Sequence, residues 1–250
     1  MTNSIASVMF MDYSICGGNL KELAVTGKTL ITTINQYSFC IAQEDAAFKK
    51  ALQGAEVLLP DGMAIVAAMR LLTNTKITKI AGAQLHDFLL HKLNDTGGSC
   101  FYLGASEATL AEITAKVNRE FPKVQVHSYS PPFKAVFTES DNQSMLAAVN
   151  AVAPEVLFIG MTAPKQEKWA FEHKAMLQAK TICSIGAVFD FYAGTVKRPS
   201  PFWIALRLEW LIRLIKEPRR MWKRYLYYGP IFIGYILREK VSLLFTNSKN

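Results

Sequence analysis

Short apolar runs alternate with amphipathic stretches along most of the chain, and this alternation decides the fold class. Six runs have the length of buried strands, at residues 29–34, 57–59, 99–103, 124–128, 156–159 and 181–185. The stretches between them have helical periodicity, at residues 43–52, 63–72, 85–93, 107–120, 144–152 and 164–176. Alternating strands and helices form βα units, which bury a parallel sheet between layers of helices. The sequence therefore predicts an α/β protein with a mostly parallel sheet.

Basic residues are concentrated at the C-terminal end. The formal net charge is +8, but residues 1–194 contain 16 Lys and Arg against 17 Asp and Glu, whereas residues 195–250 contain 12 against 3. Apolar side chains recur there at helical spacing between basic ones, at Trp203, Leu206, Trp210 and Leu214. Pro218 is expected to interrupt the helix. We therefore expect a core at residues 1–195 and a basic, amphipathic helical appendage at residues 196–250, suited to phosphate, acidic lipid or nucleic acid.

Several classes of protein are disfavoured by what the sequence lacks. It has no run of about 18 uncharged apolar residues and no basic segment leading into an apolar one at the N-terminus, so we expect neither a membrane span nor a signal peptide. The four cysteines lack the spacing of a metal site, which predicts free buried thiols in a reducing compartment. The absence of G-x-G-x-x-G and of G-x-x-x-x-G-K-[ST] argues against a dinucleotide-binding dehydrogenase and a P-loop enzyme. Without a D-x-D pair to hold Mg²⁺ or Mn²⁺, a bound diphosphate would be neutralised by Arg, Lys and helix dipoles.

The first candidate motif is Leu-Pro-Asp-Gly at 59–62, which follows an apolar strand and precedes an apolar helix. In a purely structural interpretation the proline and Gly62 shape a turn, and Asp61 caps the next helix. In a functional interpretation Asp61 lies at the carboxyl end of a strand and acts as a general base toward an acceptor hydroxyl. Thr33 and Asn35, at the end of the preceding strand, either face the same crevice or are ordinary turn residues. Both interpretations stay open at this point.

The second motif is Phe-Tyr-Leu-Gly-Ala-Ser at 101–106, a strand followed by a turn of small residues and a helix. Gly104, Ser106 and the backbone N–H groups of the turn suit a phosphate at a helix N-terminus. Because many βα turns share this composition, the signal alone is weak.

The third motif, Gly-Met-Thr-Ala-Pro-Lys-Gln-Glu-Lys-Trp at 160–169, is more informative. Gly160 ends a strand, and Pro164 suits the first turn of a helix. Long polar side chains at the start of one helix are unusual for plain structure. Lys165 and the helix N-terminus suit a diphosphate, whereas Gln166 suits hydrogen bonds to a base or a sugar.

A fourth motif surrounds Asp190, in Gly-Ala-Val-Phe-Asp-Phe-Tyr-Ala-Gly at 186–194. An unpaired charge among apolar residues is costly. Asp190 therefore either pairs with Lys197 or Arg198 or contacts a ligand, and the sequence does not separate these alternatives.

Taken in order, these motifs resemble the WecG/TagA/CpsF family of bacterial surface-polysaccharide enzymes, glycosyltransferase family 26. The matching segments are TTIN at 32–35, PDGMAIV at 60–66, FYLGAS at 101–106, SPPF at 130–133, GMTAPKQEKW at 160–169, GAVFDFYAG at 186–194, KRPSPFW at 197–203 and LEWLIRLIKEPRRMWKRY at 208–225. The chain departs from the family pattern at Gln84, where members usually have an acidic residue, and at Met63 and Ala64, where many have a second glycine.

The resemblance implies a Rossmann-like core and a role for each matching residue. Asp61 becomes the catalytic base and Thr33 a catalytic-pocket residue, while Gln166 and its neighbours line the donor site. The appendage is expected to close the pocket and touch the membrane, with Arg213 and Arg220 in catalysis and Arg219 and Arg224 in substrate binding. The other predicted substrate-binding residues are Asn35, Gly62, Gly104, Ser106, Gly160, Pro164, Lys165 and Asp190.

The implied activity is an inverting transfer from a UDP-sugar to a polyprenyl-diphosphate-linked saccharide, without a metal ion or cofactor. The implied sugar is N-acetylmannosamine, its uronic acid or another hexose, and the implied location is cytoplasmic, on the inner face of the plasma membrane. The alternative is a non-catalytic nucleotide- or nucleic-acid-binding protein with a basic tail. The apolar stripe in the appendage favours an anionic membrane over a nucleic acid, although a homo-oligomer interface also fits it.

Overall fold

The computed structural model describes residues 6–23, 27–196, 203 and 209–247. Within them, eight strands form one mixed sheet in the order β1-β2-β4-β3-β8-β7-β5-β6. The strands are β1 (Ser7–Phe10), β2 (Tyr13–Cys16), β3 (Thr29–Ile34), β4 (Val57–Pro60), β5 (Ser99–Gly104), β6 (Gln125–Tyr129), β7 (Val156–Gly160) and β8 (Thr181–Ser184). Neighbouring strands run parallel, except that β1 and β2 form an antiparallel hairpin at one edge. The expected mostly parallel sheet is confirmed.

Helices cover both faces of this sheet. They are α1 (Gln36–Glu44), α2 (Ala46–Gln53), α3 (Met63–Thr73), α4 (Gly82–Thr96), α5 (Glu107–Glu120), α6 (Glu139–Val152), α7 (Lys165–His173), α8 (Val188–Ala193), α9 (Glu209–Lys216), α10 (Pro218–Trp222) and α11 (Tyr228–Asn247), with a π-helix at Lys223–Tyr227 and a 3-10 turn at Leu20–Glu22. One face of the sheet buries α4 and α5, and the opposite face buries α6 and α7. Apolar residues of α1, α2, α3 and α11 form a further cluster near the hairpin. This layering is the Rossmann-like architecture that the sequence predicts.

The predicted elements agree with the observed ones in kind and in order. All six predicted strands are present, and helix 107–120 has the predicted bounds. The predicted helix at 43–52 is in fact α2 together with the end of α1, because Asp45 ends one helix and caps the next by accepting a hydrogen bond from the Phe48 N–H at 2.9 Å. The break at Pro218 is also present, since α9 ends at Lys216 and Pro218 begins α10.

The C-terminal helix α11 is anchored to the core along one side. Tyr228, Phe232 and Ile236 are buried, and the Phe232 ring meets Phe39 of α1 edge-on at 5.3 Å. Lys240 Nζ donates a hydrogen bond to the carbonyl of Leu71 in α3 at 2.9 Å. The predicted appendage helix therefore packs on the sheet's own helices. None of the helices in the described part of the chain combines the length and the hydropathy that crossing a membrane requires.

The opposite side of α11 is exposed and apolar. Its outer row consists of Ile233, Leu237, Val241 and Leu244, with side chains between 50% and 60% exposed. These residues recur at helical spacing, so they form one continuous stripe on the surface. The earlier stripe, at Trp203 to Leu214, includes Leu206 and Arg207, which lie outside the described residues.

The four cysteines, Cys16, Cys40, Cys100 and Cys183, are all buried and unpaired. Burial raises the pKa of Cys40 and of Cys100 to about 12. The expectation of free buried thiols is confirmed.

Candidate active site

A cavity of about 680 Å³ opens at the carboxyl ends of the parallel strands. Loops that follow β3, β4, β5, β6, β7 and β8 all contribute to its wall. In open α/β sheets this edge is where ligands bind. The predicted site residues that line it are Thr33, Asn35, Asp61, Gly104, Ser106, Gly160, Lys165, Gln166, Asp190, Arg213 and Arg224.

Other predicted site residues lie elsewhere. Gly62, Pro164 and Arg219 are not among the described residues that line the cavity. Gly62 is the N-cap of α3 with a φ of 146°, a backbone conformation that favours glycine. Pro164 precedes α7 and follows a cis peptide bond, and Arg219 is exposed on α10. The side chain of Arg220 lies outside the described part of the structure. The same is true of Lys197 and Arg198, which the sequence offered as partners of Asp190.

The turn after β4 brings Asp61 beside Thr33. Thr33 is paired with Leu59 in the parallel register, and the Asp61 N–H donates to the Ile34 carbonyl at 2.9 Å. The N-cap of α3 is Gly62 and not Asp61, so the structural interpretation in which Asp61 caps that helix is wrong. The Asp61 carboxylate and the Thr33 hydroxyl therefore belong to residues that both line the cavity.

Asn35 combines a structural role with its position on the cavity wall. Its side-chain oxygen accepts hydrogen bonds from the N–H groups of Tyr37 and Ser38, both at 3.0 Å, and so caps α1. The Asn35 N–H in turn donates to Ser38 Oγ at 2.8 Å, which completes a capping box. The Nδ2 group of Asn35 is the part of this side chain that suits a ligand.

Two glycines allow β5 and β7 to approach closely at the cavity floor. A methyl group on Gly104 would lie 2.4 Å from the Gly160 carbonyl oxygen, and the φ of Gly104 is 124°. The following residue, Ala105, donates its N–H to that same oxygen at 3.2 Å. Ser106 then caps α5, because its hydroxyl accepts a hydrogen bond from the Thr109 N–H at 3.3 Å. The turn between β5 and α5 is present where the sequence predicts it, with its serine hydroxyl used as a helix cap, and its role in binding phosphate stays a prediction.

The start of α7 contributes a cation and a buried polar pair. Lys165 Nζ donates to the Lys134 carbonyl at 2.7 Å and lies 4.3 Å from the centre of the Phe137 ring. Burial lowers the pKa of Lys165. Gln166 is buried and accepts a hydrogen bond from the Met161 N–H at 3.1 Å, while its Nε2 donates to Glu167 Oε1 at 2.7 Å. Gln166 therefore fixes the loop after β7 to the first turn of α7.

Glu167 also lines the cavity, and sequence reasoning gave it no role of its own beyond being a neighbour of Gln166 at the expected donor site. This residue is 4% exposed, and burial raises its pKa to about 7, against the lowering effects of the hydrogen bonds from Gln166 and from its own backbone N–H and of the Arg224 charge. Its Oε2 is buried and has no hydrogen-bond partner among the described residues. A signal was present, since Glu167 lies three positions before the buried Ala170, on the side of the helix that faces the sheet. Acidic side chains are rarely buried without a partner, so a carboxyl group on a buried helical face indicates a specific interaction.

The C-terminal segment supplies two further cations to the cavity wall. The Arg213 guanidinium of α9 lies 5.3 Å from the centre of the Phe191 ring, and that of Arg224, in the π-helix, lies 4.6 Å from the centre of the Tyr37 ring. Both contacts have cation–π geometry. They join the segment after residue 208 to the core at the mouth of the cavity. The described residues contain no group of three His, Cys, Asp or Glu side chains arranged to hold a metal ion.

Comparison with known proteins decides the family. The model of the "Glycosyl transferase WecG/TagA/CpsF family" matches residues 11–245. The chain belongs to this family. The resemblance carried by the sequence motifs is thereby confirmed, and WecG/TagA/CpsF membership makes the protein a glycosyltransferase of polysaccharide or cell-wall biosynthesis. An enzyme family also argues against the non-catalytic, nucleic-acid-binding alternative.

Two named Bacillus proteins are similar to this chain over most of their length. One is the N-acetylglucosaminyldiphosphoundecaprenol N-acetyl-beta-D-mannosaminyltransferase of Bacillus spizizenii, 28% identical over 212 residues that cover 85% of this chain and 80% of the relative. The protein of the same name from Bacillus subtilis is 28% identical over 211 residues, covering 84% and 80%. The similarity to both therefore spans most of the WecG/TagA/CpsF chain and not one motif.

Proposed function

We propose that this glycosyltransferase transfers N-acetylmannosamine from UDP-N-acetylmannosamine to a polyprenyl-diphosphate-linked N-acetylglucosamine saccharide. The observation that carries the proposal is one cavity that contains both the Asp61 carboxylate and the cationic groups of Lys165, Arg213 and Arg224. The carboxylate suits an acceptor hydroxyl, and the cations suit a diphosphate. The sugar and the acceptor are taken from the names of the two Bacillus relatives.

The proposed chemistry is a single displacement. Asp61 accepts the proton of the acceptor hydroxyl while the oxygen attacks the anomeric carbon of the donor. The bond between that carbon and the diphosphate oxygen breaks, and its electron pair leaves with UDP. Because the nucleophile enters opposite the leaving group, the anomeric configuration inverts.

The leaving UDP gains negative charge at the diphosphate, and the cavity offers positive groups to meet it. Lys165, Arg213 and Arg224 come from different elements of the cavity wall. Arg213 Nε is buried and has no hydrogen-bond partner among the described residues, so it is available to a phosphate oxygen. Fixed donors of this kind stabilise charge that develops in the transition state. We propose that these cations act in place of a metal ion.

We further propose that the protein works on the inner surface of the membrane, where a polyprenyl-linked acceptor is held. The support is the exposed apolar stripe of α11, described above, within a C-terminal part that carries the excess positive charge. Apolar side chains enter the headgroup region while Lys and Arg contact acidic lipid.

The test is an assay of UDP release in detergent with polyprenyl-diphosphate-N-acetylglucosamine as the acceptor and no added metal. The donors are UDP-N-acetylmannosamine, its uronic acid, UDP-N-acetylglucosamine and UDP-glucose. We expect acceptor-dependent release from UDP-N-acetylmannosamine that EDTA leaves unchanged. The matched control omits the acceptor, which separates transfer from hydrolysis.

Each other outcome corrects a specific part of the proposal. Release from a different donor would replace the sugar and keep the reaction, and loss of release with EDTA would overturn metal independence. No release from any donor, together with no measurable affinity for UDP, would overturn the proposed function.

A further inference from the structure

The order of the strands defines where the transferred sugar must lie, if the proposed function holds. Along the sheet the order is β4, β3, β8, β7 and β5. Asp61 follows β4, whereas Lys165 follows β7 and Ser106 follows β5. Strands lie about 4.8 Å apart, so the end of β4 and the end of β7 are separated by roughly 14 Å. In a single displacement the sugar occupies the space between them, over the ends of β3 and β8.

α7 contacts β3, β7 and β8, and its first turn lies beside the end of β8, because a methyl group on Gly186, which follows β8, would lie 2.9 Å from Gln166 Oε1. Glu167 lies in that turn, and its side chain both is buried and lines the cavity. The hydrogen bond from Gln166 Nε2 to Oε1 and the one from the Met161 N–H to Gln166 fix the carboxyl group in place. The carboxyl group is thus held at the part of the wall that faces the proposed sugar.

Within the described part of the chain, the remaining carboxyl oxygen has no hydrogen-bond partner. Buried side-chain atoms without a partner in the described ranges are Thr32 Oγ1, Glu167 Oε2, Ser184 Oγ and Arg213 Nε. Of these residues only Glu167 and Arg213 line the cavity. Since buried polar groups in folded proteins are normally paired, a ligand is expected to complete these two. Arg213 offers a donor, which suits a phosphate, and Glu167 offers a carboxyl oxygen, which suits a hydroxyl.

We propose that Glu167, through Oε2, binds a hydroxyl group of the transferred sugar and so contributes to the choice of donor. The ribose hydroxyls are a less suitable partner, because the nucleoside lies beyond the diphosphate and hence farther toward β5. A hydroxyl serves the carboxyl group in either protonation state, since it both donates and accepts. The inference rests on the proposed function and adds a sugar-binding residue to it.

The test compares Glu167→Gln with Glu172→Gln, an exposed residue of the same helix. Calorimetry measures the affinity for UDP and for UDP-N-acetylmannosamine, and the transfer assay measures KM for the donor. In E167Q we expect UDP affinity within about twofold of wild type and sugar-donor affinity about tenfold lower, as for one lost hydrogen bond. E172Q should match the wild type in both.

Deoxygenated donors identify the hydroxyl. Calorimetry measures the affinity of the wild type and of E167Q for UDP-N-acetylmannosamine analogues that lack the 3-, 4- or 6-hydroxyl. One of them should bind the wild type about tenfold more weakly and lose no further affinity in E167Q. Equal losses in both proteins for every analogue would overturn the inference, and so would a wild type that is indifferent to all three. Where E167Q fails to fold, a wild type that is indifferent to all three analogues still overturns the inference.

Two further outcomes are separable. If E167Q weakens UDP and the sugar donor alike, Glu167 has a structural or nucleotide-binding role and the inference is wrong. If the wild type binds no UDP at all, the proposed function itself fails. Intact UDP binding and transfer with an unaffected E167Q would overturn the sugar contact alone.

Discussion

Asp61 is held at the cavity by backbone interactions on both sides of its turn. Its own N–H donates to the Ile34 carbonyl, and the N–H of Ile80 donates to the Pro60 carbonyl, each at 2.9 Å. The carboxylate therefore projects from a turn fixed to β3 and to the segment before α4. Because these two bonds are made by the backbone, a substitution of the side chain leaves them in place.

Replacing Asp61 with Asn should remove most of the transfer activity and leave the fold and UDP binding intact. An amide cannot accept the acceptor proton, and a general base contributes about 10²- to 10⁴-fold to the rate. The measurement is kcat for UDP release alongside UDP affinity by calorimetry. Asp95→Asn, an exposed change on α4, is the control. Full turnover in a folded D61N protein would mean that another group is the base.

Glu167 should make the stability of the protein depend on pH. Burial raises its pKa from 4.5 to about 7, so between these values the folded protein keeps a proton that the unfolded chain has lost. The free energy of unfolding then falls as the pH rises through this window, by up to about 1.4 kcal/mol per pH unit from this group. Below the window both states are protonated, and the contribution is fully present.

Urea unfolding at about pH 5 and about pH 8 tests this dependence. E167Q does not titrate, so its stability relative to the wild type should improve toward the higher pH, because the wild type must then bury a charge. The Glu172→Gln control should keep the wild-type dependence. Parallel pH profiles for E167Q and the wild type would contradict the raised pKa.

At the scale of single elements, α11 has two unlike sides. Phe232 and Ile236 face the core, whereas the outer stripe faces solvent. The sequence predicted an apolar and basic helix here, but the side that packs on α1 could not be predicted, because both sides are apolar.

The sequence pattern also did not reveal the hairpin of β1 and β2. Each of these strands has only four residues, which is too short to show a clear periodicity.

Changing Ile233 and Leu237 together to Ser should weaken binding to anionic phospholipid vesicles by about tenfold or more. The two exposed side chains would lose the apolar area that they bury on contact with lipid, and the fold should stay intact because neither is in the core. Vesicle co-sedimentation measures the effect, with Met176→Ser, an exposed methionine that follows α7, as the control. Wild-type binding should partly survive high salt, whereas binding driven by charge alone would be lost. Unchanged binding of the double variant would assign the stripe to another partner.

At the scale of the whole molecule, the strand and helix pattern was enough to predict the architecture. Parallel strands must be joined by covering helices, so the order of motifs along the chain also predicted which turns meet at one edge of the sheet. What the sequence did not predict was the role of particular side chains within that edge. Asn35 and Ser106 became helix caps as well as wall residues, and Glu167 emerged only when its depth in the fold was known. Depth and unmet hydrogen bonds are properties of the packed chain.

The burial of every cysteine has a practical consequence for observing this molecule in motion. Maleimides and related dyes react with exposed thiolates, and here each thiol is enclosed, with burial holding the pKa of Cys40 and of Cys100 far above neutrality. The four native cysteines are therefore expected not to react with such dyes. Val241 and Met176 are both exposed, so a cysteine introduced at either position would be the reactive thiol of a singly labelled protein. Cysteines introduced at both positions would carry a pair of dyes. Fluorescence energy transfer between two such labels would report whether α11 keeps its place against the core as substrate and lipid arrive.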